Sequence, residues 1–203
     1  AAFEQPAQGL AGREQVRLAD ELVEANIFGL ALATLRSKEI SDLIVLEDSE
    51  RLRIVAPDGK NLWSSKERYG GGTNFYDTEK KRDMSYRYGN SPPWRVYIPG
   101  RILIRDLDGD GLNEVIINRN DTSGTRLFER IRLFDSGEIY NLVWQDGILT
   151  TSWKTRKIEG YISDFQVKDV DNDGEAELVV SVVDIGGITT RKGTSKIYFY
   201  KLF

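Results

Sequence analysis

Short runs of β-branched and aromatic residues, separated by acidic or glycine-containing turns, recur along most of the chain. The segment "ILIRDLDGDGLNEVII" (102–117) consists of an apolar run, an acidic turn and a second apolar run. The segment "FQVKDVDNDGEAELVV" (165–180) has the same layout. Short runs of this composition, bounded by turn residues, predict β-strands rather than helices. The pattern therefore predicts an all-β protein built from short antiparallel strands.

The two acidic turns match position by position, which indicates an internal repeat. A constant offset of 63 residues, the distance from Asp106 to Asp169, relates the members of the two sets. The matched pairs are Asp106 and Asp169, Asp108 and Asp171, Asp110 and Asp173, Gly111 and Gly174, and Glu114 and Glu177.

A third copy of the repeat, "GLALATLRSKEISDLIVL" (29–46), lies upstream and keeps the layout without most of the acids. An offset of 72 residues puts Thr34 where Asp106 stands. Arg36 and Lys38 replace the second and third aspartates, and Asp42 replaces the closing glutamate. Either basic side chain could stand in for an ion, but we expect both to point to solvent.

Further short strands after each turn indicate units of a β-propeller-like repeat, with about three four-stranded antiparallel blades that are partial or completed by another segment. The last unit is one strand short. Residues 1–26 are predicted to form a short helix or a leftover strand of a preceding blade. The predicted boundaries within the repeat domain, 27–203, are blades at about 27–65, 98–155 and 158–203, with a long insertion at 66–97.

Composition removes several classes of chemistry. The chain has 203 residues with no cysteine and no histidine, so disulfides, thiolate or histidine-based catalysis and histidine-bound zinc are excluded. A net charge of −4 argues against a nucleic-acid binder. No stretch approaches the length of a membrane span. Any metal must be held by oxygen, which favours calcium or magnesium.

The acidic turns are candidate calcium sites. Alternating aspartates supply several oxygens to one ion, a glycine allows the sharp turn, and a closing acid completes the shell. Solvated acidic hairpin turns are the simpler alternative, and magnesium is less suited to such a cage. The spacing is not that of an EF-hand, which needs its glutamate at position 12. The predicted ligands are Asp106, Asp108, Asp110, the Leu112 carbonyl and Glu114 in the first loop, and Asp169, Asp171, Asp173, the Glu175 carbonyl and Glu177 in the second.

On these residues the chain resembles the FG-GAP or VCBS repeat family, the calcium-binding propeller blades of integrin α-subunits. The family pattern D-x-D-x-D-G-x-x-[DE] matches "DLDGDGLNE" and "DVDNDGEAE" throughout, whereas "TLRSKEISD" keeps only the length and the closing acid. The resemblance covers about 27–203 and extends to C-terminal repeat regions of bacterial envelope lipoproteins. It implies a propeller, two bound Ca²⁺ ions and an extracytoplasmic location.

The leading hypothesis is a non-catalytic binding or scaffold module that presents loops to a protein or carbohydrate partner. The insertion supplies candidate aromatic contacts, although most of these rings could instead pack against the blades: Tyr69, Phe75, Tyr76, Tyr86, Tyr88 and Trp94. An alternative is a hydrolase or lyase acting on polysaccharide or lipid through free carboxylates. Its candidate acids are Asp77, Glu79, Asp83 and Asp164. A third hypothesis is a structural domain of a larger receptor or envelope assembly.

Overall fold

The computed structural model describes residues 27–78, 94–122, 132–184 and 193–202. This part of the chain contains one 3₁₀ turn, Ile27–Gly29, and otherwise only β-strands. The strands are β1 (Leu30–Ser37), β2 (Ile40–Leu46), β3 (Arg51–Val55), β4 (Asn61–Arg68), β5 (Phe75–Thr78), β6 (Trp94–Tyr97), β7 (Ile102–Arg105), β8 (Glu114–Asp121), β9 (Ser136–Gln145), β10 (Ile148–Lys154), β11 (Ile158–Glu159), β12 (Tyr161–Lys168), β13 (Glu177–Asp184) and β14 (Thr194–Lys201).

The strands form three antiparallel sheets and one separate hairpin. Sheet 1 has the order β1-β2-β3-β4, sheet 2 the order β10-β9-β8-β7 with β11 also paired to β9, and sheet 3 the order β12-β13-β14. Strands β5 and β6 pair only with each other. The all-β prediction is confirmed. The helix or strand predicted within 1–26 lies outside the described residues, and the closure of the sheets into a propeller stays a prediction.

Within the described residues, no helix has both the length and the apolar character needed to cross a membrane.

The first two strands of each sheet pair in the same register, which is the structural counterpart of the sequence repeat. Offsets of 72 and 63 residues superimpose the pairings of β1 with β2, β7 with β8 and β12 with β13. In each unit the last pair before the turn contains the closing acid: Ala33 with Asp42, Arg105 with Glu114, and Lys168 with Glu177. A one-residue slip would turn every side chain to the other face, so this agreement fixes which side chains face the core.

The sheets stack in chain order, and sheet 2 lies in the middle. One core joins sheets 1 and 2 through Ile44, Ile54, Ile117 and other side chains. A second core joins sheets 2 and 3 and contains Ile116, the neighbour of Ile117 in β8. Successive residues of a strand point to opposite faces. The unbroken apolar run in β8 is therefore explained by burial on both faces, as in strands covered on both sides.

Sheet 3 has one covered face and one face that is largely open among the described residues. Leu178 and Val180 lie in the core shared with sheet 2. On the opposite face of the edge strand β14, Ile197 is 61% exposed and Phe199 is 58% exposed. Sheet 3 also has one strand fewer than sheet 1.

The predicted insertion boundary at residue 66 is wrong, because the sheet structure continues past it. Residues 66–68 complete β4, and Tyr69 is buried with its ring edge-on to Tyr140 at 5.6 Å. Gly70 then runs parallel to β8, donating its N–H to the Asn118 carbonyl at 2.6 Å. This segment fastens the end of sheet 1 onto sheet 2.

A buried asparagine in β8 connects three parts of the chain. The Asn120 amide donates to the Gly71 carbonyl at 2.8 Å and to the Ile162 carbonyl at 2.9 Å. Its side-chain oxygen accepts from the Ile162 N–H at 3.0 Å. Asn120 thereby satisfies buried backbone groups of the Gly70–Gly72 segment and of sheet 3 from sheet 2.

Candidate metal centre

The two acidic turns of sheets 2 and 3 follow the same backbone path. Gly109 and Gly111 have φ angles of 75° and 87°, and the matching Asn172 and Gly174 have 60° and 93°. These values lie in the left-handed region, which glycine adopts freely and which asparagine tolerates better than most residues. Both turns therefore need Gly or Asn at the fourth position and Gly at the sixth, as the sequence has them.

Three carboxylates converge in each turn. In the first, oxygen atoms of Asp106, Asp108 and Glu114 all lie within 4.8 Å of one another. The second turn brings together Asp169, Asp171 and Glu177 in the same way. Oxygens bonded to one ion at about 2.4 Å lie at most about 4.8 Å apart, so each triad could hold a metal ion. Without a cation, each pair of charges at this separation repels by about 1–4 kcal/mol.

Matched hydrogen bonds hold the acids of the triads in place. The closing glutamates accept from the backbone one residue after the first aspartate, Leu107 N–H to Glu114 at 2.7 Å and Val170 N–H to Glu177 at 3.1 Å. The first aspartates accept from the glycine of the turn, Gly111 N–H to Asp106 at 2.9 Å and Gly174 N–H to Asp169 at 3.0 Å. The carboxylates are thus positioned by their own turn.

The third aspartates lie outside these triads. Asp110 accepts from the Leu112 N–H at 2.7 Å, and Asp173 accepts from the Glu175 N–H at 2.9 Å. Each bond leaves a second carboxylate oxygen for another partner. Ligation by Asp110, by Asp173 and by the Leu112 and Glu175 carbonyls stays a prediction.

Two buried oxygens of the second turn point to a missing cation. Glu177 is only 3% exposed, and its Oε1 atom is buried without a hydrogen-bond partner among the described residues. The Oδ1 atom of Asp169 is in the same condition. Both residues belong to the triad, and an unpaired buried carboxylate oxygen carries a large desolvation cost. A bound cation would remove that cost, so the donor set fits a metal ion.

Electrostatics single out the closing acid of the first turn. Burial raises the pKa of Glu114 above its ordinary value, and the charges of Asp108, Asp106 and Asp110 raise it further. The hydrogen bond from Leu107 acts in the opposite direction. The ionised form of Glu114 is therefore costly in the metal-free turn.

In the third copy, an arginine neutralises the closing acid. Asp42 is fully buried, and Arg36 donates to both of its carboxylate oxygens, at 2.8 Å from Nε and 2.6 Å from Nη2. The expectation that Arg36 points to solvent is wrong, because a buried carboxylate needs a paired charge. This bidentate pair lies where the second aspartate and the closing glutamate lie in the other turns.

Lys38, the other basic residue of this copy, extends toward the first acidic turn. Its side chain lies directly over Gly111, in the space that a Cβ atom would fill. Next to it, Thr34 N–H and Oγ1 donate to the Asn113 side chain at 2.9 and 2.8 Å, and the Asn113 N–H donates to the Thr34 carbonyl at 2.8 Å. The turn of sheet 1 is therefore bonded to the turn of sheet 2.

The acids considered for catalysis are not free where they are described. Asp77 pairs with Arg95 at 3.4 Å, and Asp164 forms a two-bond pair with Arg101 at 2.6 and 2.7 Å. The expectation of free carboxylates at these two positions is wrong. Glu79 and Asp83 lie outside the described residues.

The candidate aromatic residues divide between the core and the hairpin β5–β6. Tyr69 is 6% exposed and belongs to the core, so it cannot serve as a recognition residue. Phe75 and Tyr76 are each 42% exposed. Trp94 lies in β6, whereas Tyr86 and Tyr88 lie outside the described residues.

Sequence analysis missed a basic residue at the second turn. Lys201 in β14 pairs with Asp173 at 2.8 Å, and this hydrogen bond is the largest cause that lowers the pKa of Asp173. The sequence signal is weak, because Lys201 is distant along the chain from the acids it approaches. Only the register of sheet 3, which pairs Lys201 with Glu177, brings it there.

Comparison with known proteins gives no relative: no family model matches this chain, and no curated protein matches it significantly.

The substitution Glu114→Gln should raise the melting temperature at pH 7 in the presence of a chelator. Because the folded-state pKa of Glu114 is raised, the carboxyl group costs stability as pH rises from its ordinary pKa of 4.5 through the folded value. Glutamine removes the charge and keeps an oxygen for the Leu107 N–H. Differential scanning calorimetry at pH 4 and pH 7 measures the effect, which should vanish near pH 4.

Glu159→Gln is the matched control, because Glu159 is exposed in β11 and lies outside both triads. It should leave the melting temperature unchanged at both pH values. A lower melting temperature for Glu114→Gln at pH 7 in chelator would contradict the electrostatic account.

The substitution Arg36→Met should lower the free energy of unfolding by about 2–3 kcal/mol, because it leaves a buried carboxylate without its charge partner. Urea unfolding should give the same loss with calcium and with chelator, since no ion is involved. Adding Asp42→Asn to Arg36→Met should recover part of the loss by removing the buried charge. A loss confined to the chelator would refute the view that Arg36 acts as a fixed cation.

Proposed function

We propose that this chain is a calcium-stabilised, non-catalytic binding or scaffold module, with one Ca²⁺ ion in each of the two acidic turns. The observation that carries the proposal is the pair of buried, unpartnered oxygens on Glu177 and Asp169, which belong to one carboxylate triad. The matched triad of the first turn extends the proposal to a second site.

The residues that would hold the ions follow from the triads. Asp106, Asp108 and Glu114 would bind the first ion, and Asp169, Asp171 and Glu177 the second. The third aspartates and the Leu112 and Glu175 carbonyls are the further oxygens that the sequence pattern assigns to the shell. When bound, calcium supplies positive charge and a coordination shell, so it cancels the repulsion and holds the turn closed.

Calcium fits better than magnesium for two chemical reasons. Magnesium retains several waters and rarely occupies a cage of several carboxylates, whereas calcium accepts six to eight protein oxygens. Calcium sites that serve as structural supports work where calcium is abundant, as outside the cytoplasm. The proposal therefore includes an extracytoplasmic location in the periplasm, the cell envelope or the extracellular space.

The proposed architecture is a set of propeller blades like those of the FG-GAP or VCBS family. It is supported by the sequential stacking of the sheets, by the shared register of their first two strands and by contact between β1 and β7, the first strands of neighbouring sheets. Closed propellers have four to eight blades. The proposal therefore includes completion of the ring by further blades or by a partner.

The binding role is proposed for the hairpin β5–β6. Phe75 and Tyr76 are half exposed there, and the Arg95 guanidinium lies 3.5 Å from the Phe75 ring centroid. Aromatic and arginine side chains suit contacts with a protein or a carbohydrate. The non-catalytic part of the proposal is supported by the ion pairs of Asp77 and Asp164 and by the absence of histidine and cysteine from the sequence.

Calcium should raise the melting temperature of the parent protein by about 10–20 °C relative to chelator. At a 100-fold excess over the dissociation constant, each site adds about 2.7 kcal/mol. For a domain of this size, each kcal/mol raises the melting temperature by about 2–4 °C. Asp108→Asn and Asp171→Asn should each remove about half of the rise, as measured by calorimetry with calcium and with chelator.

Asp58→Asn is the control, since Asp58 also lies in a turn and accepts a backbone hydrogen bond, from Lys60 at 3.0 Å, but belongs to neither triad. It should keep the full rise. Equal melting temperatures of the parent protein with calcium and with chelator would refute the proposed function.

A further inference from the structure

The second acidic turn has a side-chain cation that already occupies one of its carboxylates. Lys201 lies in β14 directly across from Glu177, and its ammonium group binds Oδ2 of Asp173 at 2.8 Å. The other oxygen of Asp173 accepts from the Glu175 N–H. Both oxygens of this aspartate are therefore engaged within the protein.

The first turn differs at the corresponding place. The register that pairs Val115 with Leu142 puts Val143 across from Glu114, so an apolar residue stands where sheet 3 has Lys201. Lys38 lies over Gly111 instead, and among the described residues it forms no ion pair with Asp110. The second oxygen of Asp110 is consequently not held by a lysine.

We propose that Lys201 is a built-in competitor of the cation at the second turn, so that the two turns bind calcium with unequal affinity. This inference rests on the proposed function. To complete its shell with Asp173, the ion at the second turn must displace the Lys201 ammonium group, and it is also repelled by that group. Asp110 has no such pair to break, and the first turn therefore fills at lower calcium concentration.

The competition also places Lys201 in a sequence of three cation arrangements within one chain. In sheet 1, Arg36 holds the closing acid itself through two bonds. In sheet 3, Lys201 holds only the third aspartate and leaves the triad open. Lys201 is 65% exposed, so its ammonium group can move into solvent when an ion binds. Lys201 therefore tunes the affinity of the second turn without closing it.

The test measures calcium affinity at the second turn alone. Asp108→Asn disables the first turn, and calcium is titrated into this single-site protein by isothermal calorimetry at 0.15 M salt. Lys201→Gln in the same background should strengthen calcium binding about two- to fivefold, the range in which exposed lysine–carboxylate pairs act. In the Asp171→Asn background, which retains only the first turn, Lys201→Gln should leave the affinity unchanged.

Lys196→Gln is the matched control, because it removes the same charge from the same strand. Lys196 is exposed and pairs across the sheet with Val182, away from the turn. It should change the affinity of the second turn much less than Lys201→Gln, since exposed charges farther away are screened by salt.

Equal effects of Lys201→Gln and Lys196→Gln, or weaker binding after Lys201→Gln, would overturn the inference while leaving the proposed function intact. Absence of calcium binding in the parent protein would refute the proposed function itself, and the inference with it. Tighter binding of Lys201→Gln only in the Asp108→Asn background supports the inference.

Discussion

A buried carboxylate that must meet a positive charge is the constraint common to the three repeats. Asp42, Glu114 and Glu177 occupy the same position in the register, and each is at most 5% exposed. A buried carboxylate without a partner charge is strongly destabilising. Sheet 1 meets the requirement with Arg36. For sheets 2 and 3 the proposed partner is calcium, held by two aspartates that have no equivalent in sheet 1.

The position of the closing acid links this electrostatic constraint to the cores. Immediately after Glu114 come Val115, Ile116 and Ile117, which have no exposed surface and fill the cores on both faces of sheet 2. Any loosening of the turn would therefore act on the strand that carries most of the packing between sheets. The bonds between Thr34 and Asn113 extend the connection to sheet 1. The turns are thus supports of the stacked sheets as well as candidate ion sites.

The fold class and the convergence of the first, second and closing acids could be predicted from the sequence, because they depend on local spacing. Alternating aspartates, a glycine and a closing acid specify a turn whatever surrounds it. The pairs Arg36–Asp42 and Lys201–Asp173 could not be predicted, since the first depends on burial of Asp42 and the second on the register of sheet 3. Asn120 was missed for a similar reason. A polar residue inside an apolar strand looks the same in sequence whether it faces solvent or bonds buried backbone groups of two other segments.

The central claim, that a cation neutralises each acidic turn of sheets 2 and 3, is tested most directly by anomalous scattering. Crystals grown in calcium and measured at long wavelength should give two anomalous peaks, one within residues 106–114 and one within 169–177. The turn at residues 34–42 should give none, because Arg36 already neutralises Asp42. Turns 106–114 and 169–177 without anomalous density in such crystals would contradict the account.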